Sequence, residues 1–349
     1  MIRQCDDLRS KLTAKGGRLL VIQTAFLGDV VLLTPLLRAI RKALPLVRTS
    51  VVVQPEWSEV VAGWCDEIIP FAKKEAATRS QNWKELLEGL KRRQFDAALV
   101  PHRSLRSALT ALKAGIPYRI GFKRGVGIWF HNIRVSYPRS LYEGRRNLAL
   151  LEVLTDTDDG GFPELIIPDD DREFVAGRLR ELGLDPFSFA VIAPASVWFT
   201  KSWPIRHYRD LVHRLKNEFQ IAALVVGGRA DAEICAPVAV AAKFNFAGQF
   251  SPLRTAALMA QSRFVISGDT APAHLATAVG VRQLIIFGST APRFGFAPPT
   301  ERARILGADI WCRPCTDHGR KRCPLGGSPR CLNEITVSMV VNSVRNWLE

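Results

Sequence analysis

Residues 19–45 read LLVIQTAFLGDVVLLTPLLRAIRKALP, and the reading of this stretch decides the fold class. Leu19–Gln23 is a short, almost wholly apolar run, the signature of a strand buried on both faces. From Val30 to Leu44 the apolar positions recur at helical spacing, and Pro45 stops them. A buried strand that feeds straight into a helix is the building unit of a parallel α/β sheet. The same rhythm predicts strands at Ser50–Val53 and Ala97–Val100, then again at Ala190–Ala193, Ile221–Val226, Phe264–Ser267 and Gln283–Phe287. Two such series predict two Rossmann-like, doubly wound domains facing one another across a cleft.

The boundary is expected within Thr155–Asp171, giving domains at 1–160 and 161–334. A final helix at 335–349 is expected to pack back on the first domain. Asp156, Asp158 and Asp159 could form an acidic metal site, but the flanking Gly160-Gly161 and Pro163 favour solvated linker residues. Asp169–Asp171 precede a helical pattern and read as its caps.

The chain has 349 residues, about two domains' worth. With 47% hydrophobic and 23% charged residues, it is neither a disordered chain nor a fibrous one. Its charge is uneven. Residues 1–150 hold 26 Lys+Arg against 12 Asp+Glu, whereas the remainder hold 22 against 21. The first half therefore suits an acidic partner: nucleic acid, an anionic membrane surface, or a phosphorylated or carboxylated substrate. The most apolar stretch, Leu19–Leu37, is interrupted by Gln23, Gly28, Asp29 and Thr34-Pro35, so it does not read as a membrane span. No apolar core of a signal peptide precedes Leu19, so the protein is expected to stay in the cytoplasm. Cys5, Cys65 and Cys235 stand apart from one another and read as reduced residues.

Three constellations could carry chemistry. Gly28-Asp29 lies where the first strand hands over to a helix, the edge at which open parallel sheets bind ligands. Gly28 suits a tight turn there. Asp29 is open to two readings, a helix N-cap or a carboxylate acting as general base. The second constellation, FVISGDTAPAHLATAVG at 264–280, repeats the strand-to-helix hand-over at Asp269. Thr270 and Ala271 fall where free backbone N–H groups favour a phosphate, and His274 follows about one turn later. No GxxxxGK[ST] pattern occurs, so this is not a P-loop. The third, APASVWFTKSWP at 193–204, presents Ser196, Thr200 and Lys201 between Trp198 and Trp203. A lysine there can neutralise a leaving phosphate. After the next strand, Gly228 fits a tight turn, and Asp231 or Glu233 could accept from a ribose hydroxyl. Separately, Cys312, Cys315, Cys323 and Cys331 form C-x2-C-x7-C-x7-C, open to a structural zinc site or to packed, reduced thiols.

Together these stretches, with PHRSLRSAL at 101–109 and AGIPYRIGF at 114–122, resemble the glycosyltransferase family nine heptosyltransferases over most of the chain. The CRPC…CPLG…CL segment is most similar to the heptosyltransferase II branch. Ala271 departs from the family pattern, which generally has Gly there. The resemblance implies the GT-B architecture and transfer of heptose, with inversion, from ADP-heptose to the inner core of lipopolysaccharide. It implies Asp29 as catalytic base and Lys201 as the charge partner of the leaving diphosphate. Ser196, Thr200, Gly228, Asp231, Asp269, Thr270, Ala271 and His274 would complete the donor site. Arg103, Arg106, Arg119, Lys123 and Arg124 would meet an anionic lipopolysaccharide acceptor. No catalytic metal cofactor is required on this reading, since a helix dipole and a lysine do the charge work. The protein would act as a monomer, peripherally on the cytoplasmic face of the inner membrane. Two other classes stay open: a related GT-B enzyme using another nucleotide sugar, and a nucleic-acid-binding protein. The basic half lacks an RNP-like motif or a recognition-helix pattern, so nucleic acid is not expected as a partner.

Overall fold

The structure is a computed structural model describing residues 2–72, 79–157, 159–242 and 244–348. Asp158 and the side chain of Cys5 lie outside the described residues. The chain divides into two compact units, 1–166 and 167–349.

In the first unit six parallel strands are β1 (Gly17–Ile22), β2 (Val47–Val53), β3 (Glu67–Pro70), β4 (Ala97–Val100), β5 (Tyr118–Phe122) and β6 (Ile133–Val135). They lie in the order β3-β2-β1-β4-β5-β6. The second unit repeats this plan with β7 (Phe189–Ala193), β8 (Ala222–Val225), β9 (Phe244–Asn245), β10 (Phe264–Gly268), β11 (Gln283–Phe287) and β12 (Ala303–Gly307). Their order is β12-β11-β10-β7-β8-β9. In each sheet the first strand lies beside the fourth, so the connections reverse direction there. Such a switch point leaves a crevice at the carboxyl ends of the two strands. The α/β, doubly wound class read from the sequence is what the structure shows.

β4, β7, β10 and β11 are buried from end to end. The helical pattern at Val30–Leu44 is two helices, Leu27–Val31 and Thr34–Ala43. Pro35, in the first turn of the second, has no N–H to continue the first helix and is well placed to start a new one.

The unit boundary falls later than residue 160, for a reason visible in Arg38. Its guanidinium holds Asp159 through two hydrogen bonds (2.7 and 2.9 Å) and Glu164 at 2.7 Å. It also donates to the Phe162 carbonyl. Residues 159–164 are thus fastened to the helix Thr34–Ala43, and Asp159 is a half-buried anchor rather than a solvated linker residue. Asp169–Asp171 do not cap their helix. Pro168 occupies the cap position, and the three carboxylates lie in the first turn, where the helix dipole favours them.

The C-terminal helix Val337–Leu348 joins the core of the second unit, correcting the expectation that it packs on the first. Val340, Val341, Val344 and Trp347 are buried with Trp203 and Phe264. Trp203 is wholly buried, and its indole N–H donates to the Ile335 carbonyl at 2.8 Å. Trp203→Ala should therefore cost about 3–5 kcal/mol in urea unfolding, from the cavity it opens. Trp203→Phe, which keeps most of the volume but strands one carbonyl, should cost about 1–3 kcal/mol. A loss below about 1 kcal/mol for the alanine variant would contradict this packing account.

Candidate functional site

In the second unit, chemistry gathers at the carboxyl ends of β7 and β10. The loop after β7 carries Lys201, and Asp269 follows β10. The lysine Nζ lies 2.8 Å from Asp269 Oδ2, with the two side chains only 13% and 6% exposed. The second carboxylate partner is Thr290, whose hydroxyl donates to Asp269 Oδ2 at 2.8 Å. Lys201 is accordingly no ordinary surface lysine. An ammonium has three donors, and an ion pair to one carboxylate leaves donors for a further anion.

Thr270 is the N-cap of the helix Ala271–Ala278, but its side chain makes no capping bond. Its hydroxyl instead lies 3.4 Å from the Gly268 carbonyl. Ala271 is the first helical residue, and Pro272 follows it, so this helix start keeps its positive dipole end beside Lys201 and Asp269. His274 is buried on the same helix. Burial drives its pKa down to about 4, with Lys201 acting in the same direction and Asp269 opposing. The imidazole is neutral at pH 7, and its Nδ1 is buried without a hydrogen-bond partner. A neutral ring can still donate one N–H to an anion.

The remaining donor candidates separate. Thr200 is buried, and its hydroxyl accepts from the Arg320 backbone N–H and from Ser289, both at 2.8 Å. It locks the loop instead of presenting a hydroxyl to a ligand. Close approach here depends on Gly288: a Cβ at that position would come within 2.4 Å of the Thr200 carbonyl. Ser196 accepts from the Trp198 N–H at 3.1 Å and so closes its own turn. Asp231 accepts from the Gly228 N–H at 2.9 Å, so both residues serve the turn after β8. Ser289 and Thr290 were not anticipated. The signal was available, since polar residues directly after a buried strand lie on the ligand-binding edge.

In the first unit Asp29 is half-buried in the helix Leu27–Val31, at the carboxyl end of β1. Phe26 stands at the cap position, so Asp29 is not the N-cap, and of the two readings the cap is excluded. Gly28 is a helical residue without the left-handed φ expected of a tight turn. Thr24, after β1, meets His102, after β4, at 3.2 Å, and His102 reaches Ser107 at 3.0 Å. This polar network at the switch point was also not anticipated.

The basic candidates behave differently from one another. Arg103 and Arg124 lie over the Tyr137 ring at 4.4 and 5.8 Å, with Arg146 at 4.8 Å. Tyr137 donates to Glu143 at 2.6 Å, and burial pushes the phenol up to about 12. Arg119 donates to the carbonyls of Ile116 and Phe130, so it braces a loop and does not offer a free head. Arg106 is half-buried and Lys123 exposed.

Cys312, Cys315 and Cys323 lie close enough to Cys331 for their thiols to raise its pKa. Among the described residues no group of three or more His, Cys, Asp or Glu side chains is arranged to hold a metal ion. Cys331 lies in the apolar core, and burial, with the neighbouring thiols, pushes it up to about 11. Cys65 and Cys235 are free thiols, raised by burial to about 11 and about 12.

Two measurements test this electrostatic picture. Asp269→Asn should destabilise the protein by about 3–5 kcal/mol, because it strands a buried ammonium. Adding Lys201→Met should recover part of that loss, a coupling of roughly 1–3 kcal/mol in a double-mutant cycle; additive losses would refute the pairing. The second concerns acid. His274 and His131 are buried, each with a folded pKa near 4 against 6.5 unperturbed. Below pH 6.5 the unfolded chain therefore binds more protons, so stability is intact above 6.5 and is lost as pH falls towards 4. Each histidine should account for on the order of 3 kcal/mol of that loss in urea titrations. His131→Gln and His274→Gln should each flatten the slope, and an unchanged slope would remove the explanation.

The description of glycosyltransferase family 9 (heptosyltransferase) matches residues 83–325. No protein of curated function matches by sequence. Among solved structures, a family 9 glycosyl transferase from Veillonella parvula DSM 2008 superposes with a TM-score of 0.79 at 21% identity. That match covers 97% of this chain and 98% of the other. ADP-heptose lps heptosyltransferase II from E. coli gives 0.74 at 20% identity, covering 95% and 98%. The E. coli heptosyltransferase WaaC with ADP-2-deoxy-2-fluoro heptose gives 0.68 at 19%, covering 94% and 99%. These likenesses establish the GT-B fold. With 243 of the 349 residues inside the family match, the chain is a glycosyltransferase and belongs to family 9, the heptosyltransferases.

Proposed function

We propose that this enzyme transfers heptose from ADP-heptose to the inner core of lipopolysaccharide, with inversion at the anomeric carbon. The observation that carries the reading is the buried Lys201–Asp269 pair beside the uncapped start of Ala271–Ala278. A diphosphate there would meet an ammonium, a helix dipole and the imidazole of His274, whose Nδ1 has no partner within the protein. Asp269 and Thr290 position the lysine, and need not touch the donor. Structural relatives are described with ADP and with ADP-2-deoxy-2-fluoro heptose, which supports the same donor class for this chain.

The first unit supplies the other half of the reaction. Asp29 takes the proton of the acceptor hydroxyl as its oxygen attacks the anomeric carbon. The bond from that carbon to the diphosphate oxygen breaks, and ADP leaves with the electron pair. Lys201 and the helix start stabilise the charge that develops on it. Arg103, Arg124 and their neighbours would receive the anionic acceptor, on the cytoplasmic side of the membrane. A different nucleotide sugar remains the competing donor, because no residue described above recognises the heptose itself.

The test is transfer from ADP-heptose onto inner-core lipopolysaccharide lacking heptose, with other nucleotide sugars run in parallel. Asp29→Asn should lower turnover by about 10²-fold or more while leaving ADP affinity near that of the parent. Unchanged turnover would remove Asp29 as the base, and preference for another nucleotide sugar would overturn the donor assignment.

A further inference from the structure

The chain beyond residue 150 is close to neutral, yet one segment of it is not. Residues 310–333 hold five Lys or Arg and a single acid, Asp317. Two of the five cations are accounted for. Arg313 donates to the carbonyls of Gly288 at 2.8 Å and Ala308 at 3.0 Å, and Arg330 pairs with Glu334 at 2.9 Å. Arg320, Lys321 and Arg322 are exposed, and among the described residues no carboxylate forms an ion pair with them. Arg320 uses one N–H on the Cys315 carbonyl, 3.1 Å away, and a guanidinium has five.

This segment is a strap laced onto the loop that carries Lys201. The Cys315 N–H donates to the Ser289 carbonyl at 3.0 Å. The Thr200 N–H donates to the Arg320 carbonyl at 3.1 Å, and the Arg320 N–H returns to the Thr200 hydroxyl at 2.8 Å. Between these attachments the backbone turns at Gly319, with a φ of +106°. The Thr316 hydroxyl shapes that turn by accepting from the N–H groups of His318 at 3.2 Å and Gly319 at 3.3 Å. A Cβ on Gly319 would come within 2.6 Å of Trp198 Cγ and 2.9 Å of Lys201 Cδ, so the bare backbone lies against the lysine stem. Arg320 and Lys321 therefore leave the chain one and two residues beyond the point where it meets Lys201.

A diphosphate at this site needs more positive charge than the residues described so far provide. Lys201 and Asp269 cancel one another, and His274 is neutral. The start of the helix Ala271–Ala278 adds the equivalent of about half a positive charge. The diphosphate of a nucleotide sugar carries two negative charges, and a third develops on the leaving oxygen as its bond to the anomeric carbon breaks. Such charge is offset by cations already held in place around it. We propose that the strap forms one wall of the diphosphate site, where Arg320 and Lys321 bind the phosphates while Gly319 keeps Lys201 against Asp269. The arginine fork suits two phosphate oxygens at once, and the lysine serves as a point charge. The inference rests on the proposed nucleoside diphosphate donor and adds the residues that neutralise it.

The experiment is calorimetric titration of the full chain with ADP, AMP and adenosine. Arg320→Gln combined with Lys321→Gln should weaken ADP binding about tenfold, as loss of charge-assisted hydrogen bonds does. AMP should lose less, and adenosine nothing. A role in folding alone would weaken all three alike. Both residues are exposed, so the thermal midpoint without ligand should not move. Raising NaCl from about 50 to about 500 mM should weaken ADP binding more in the parent than in the double variant. Equal ADP affinity in parent and variant overturns the proposal, as does an affinity that follows added Mg2+ and not the strap. So does a loss produced by Arg293→Gln, in the exposed turn after β11, and not by the strap substitutions. If the parent binds UDP in place of ADP, and the double substitution weakens it in the same way, the donor assignment falls and the strap's role stands. A parent that binds no nucleoside diphosphate removes both.

Discussion

The second unit is organised around one ion pair in a place where charges are expensive. Taking an ammonium and a carboxylate out of water is repaid only when they meet each other with good geometry and further hydrogen bonds. Lys201 and Asp269 do so at 2.8 Å, with Thr290 as a third partner. The requirement then spreads outward. The loop after β7 must press close to the ends of β10 and β11, which Gly288 permits and which Thr200 secures through Arg320 and Ser289. The cysteine-bearing segment is drawn in as well: the Cys315 N–H donates to the Ser289 carbonyl at 3.0 Å. A lysine held this firmly loses little freedom when an anion arrives, which is what preorganised charge stabilisation demands.

The first unit faces the opposite problem, an excess of positive charge with few acids to balance it. Several of its arginines are accommodated by groups other than carboxylates. Arg119 is satisfied by backbone carbonyls, Arg103 and Arg124 by the face of Tyr137, and Arg134 by Trp129. Guanidinium suits this role, because its planar, weakly hydrated head stacks on rings and still presents N–H donors at its edge. Where carboxylates are used they serve as fasteners. Arg38 with Asp159 and Glu164 ties the end of the first unit to its own core and thereby sets the boundary at residue 166.

The pattern of what the sequence disclosed has a physical cause. Seven strands were legible: β1, β2, β4, β7, β8, β10 and β11, all interior to their sheets and most of them nearly unbroken apolar runs. The four edge strands β3, β6, β9 and β12 were not. They are covered less completely, as Ala303–Gly307 shows with two exposed positions of five, so their composition resembles that of loops. β5, with Arg119 in it, escaped for a similar reason. Lys201 and Asp269 do follow buried strands, the position that singled them out in the sequence, and Thr270 and His274 lie on the helix that comes next. Thr200 was misjudged because a buried hydroxyl and an exposed one look alike in sequence.

By itself, then, the amino-acid order determined the parallel α/β class, its repetition in two units, the uneven charge and the family likeness. Each of these follows from local hydrophobic period or from composition, which need no knowledge of distant contacts. Only the tertiary structure decided that the switch points fall between β1 and β4 and between β7 and β10. It alone decided that Lys201 pairs with Asp269, that His274 is neutral, that Asp231 and Thr200 serve their own loops, and that the last helix completes the second core. Those outcomes depend on which residues far apart along the chain become neighbours, and on how much water is left around them.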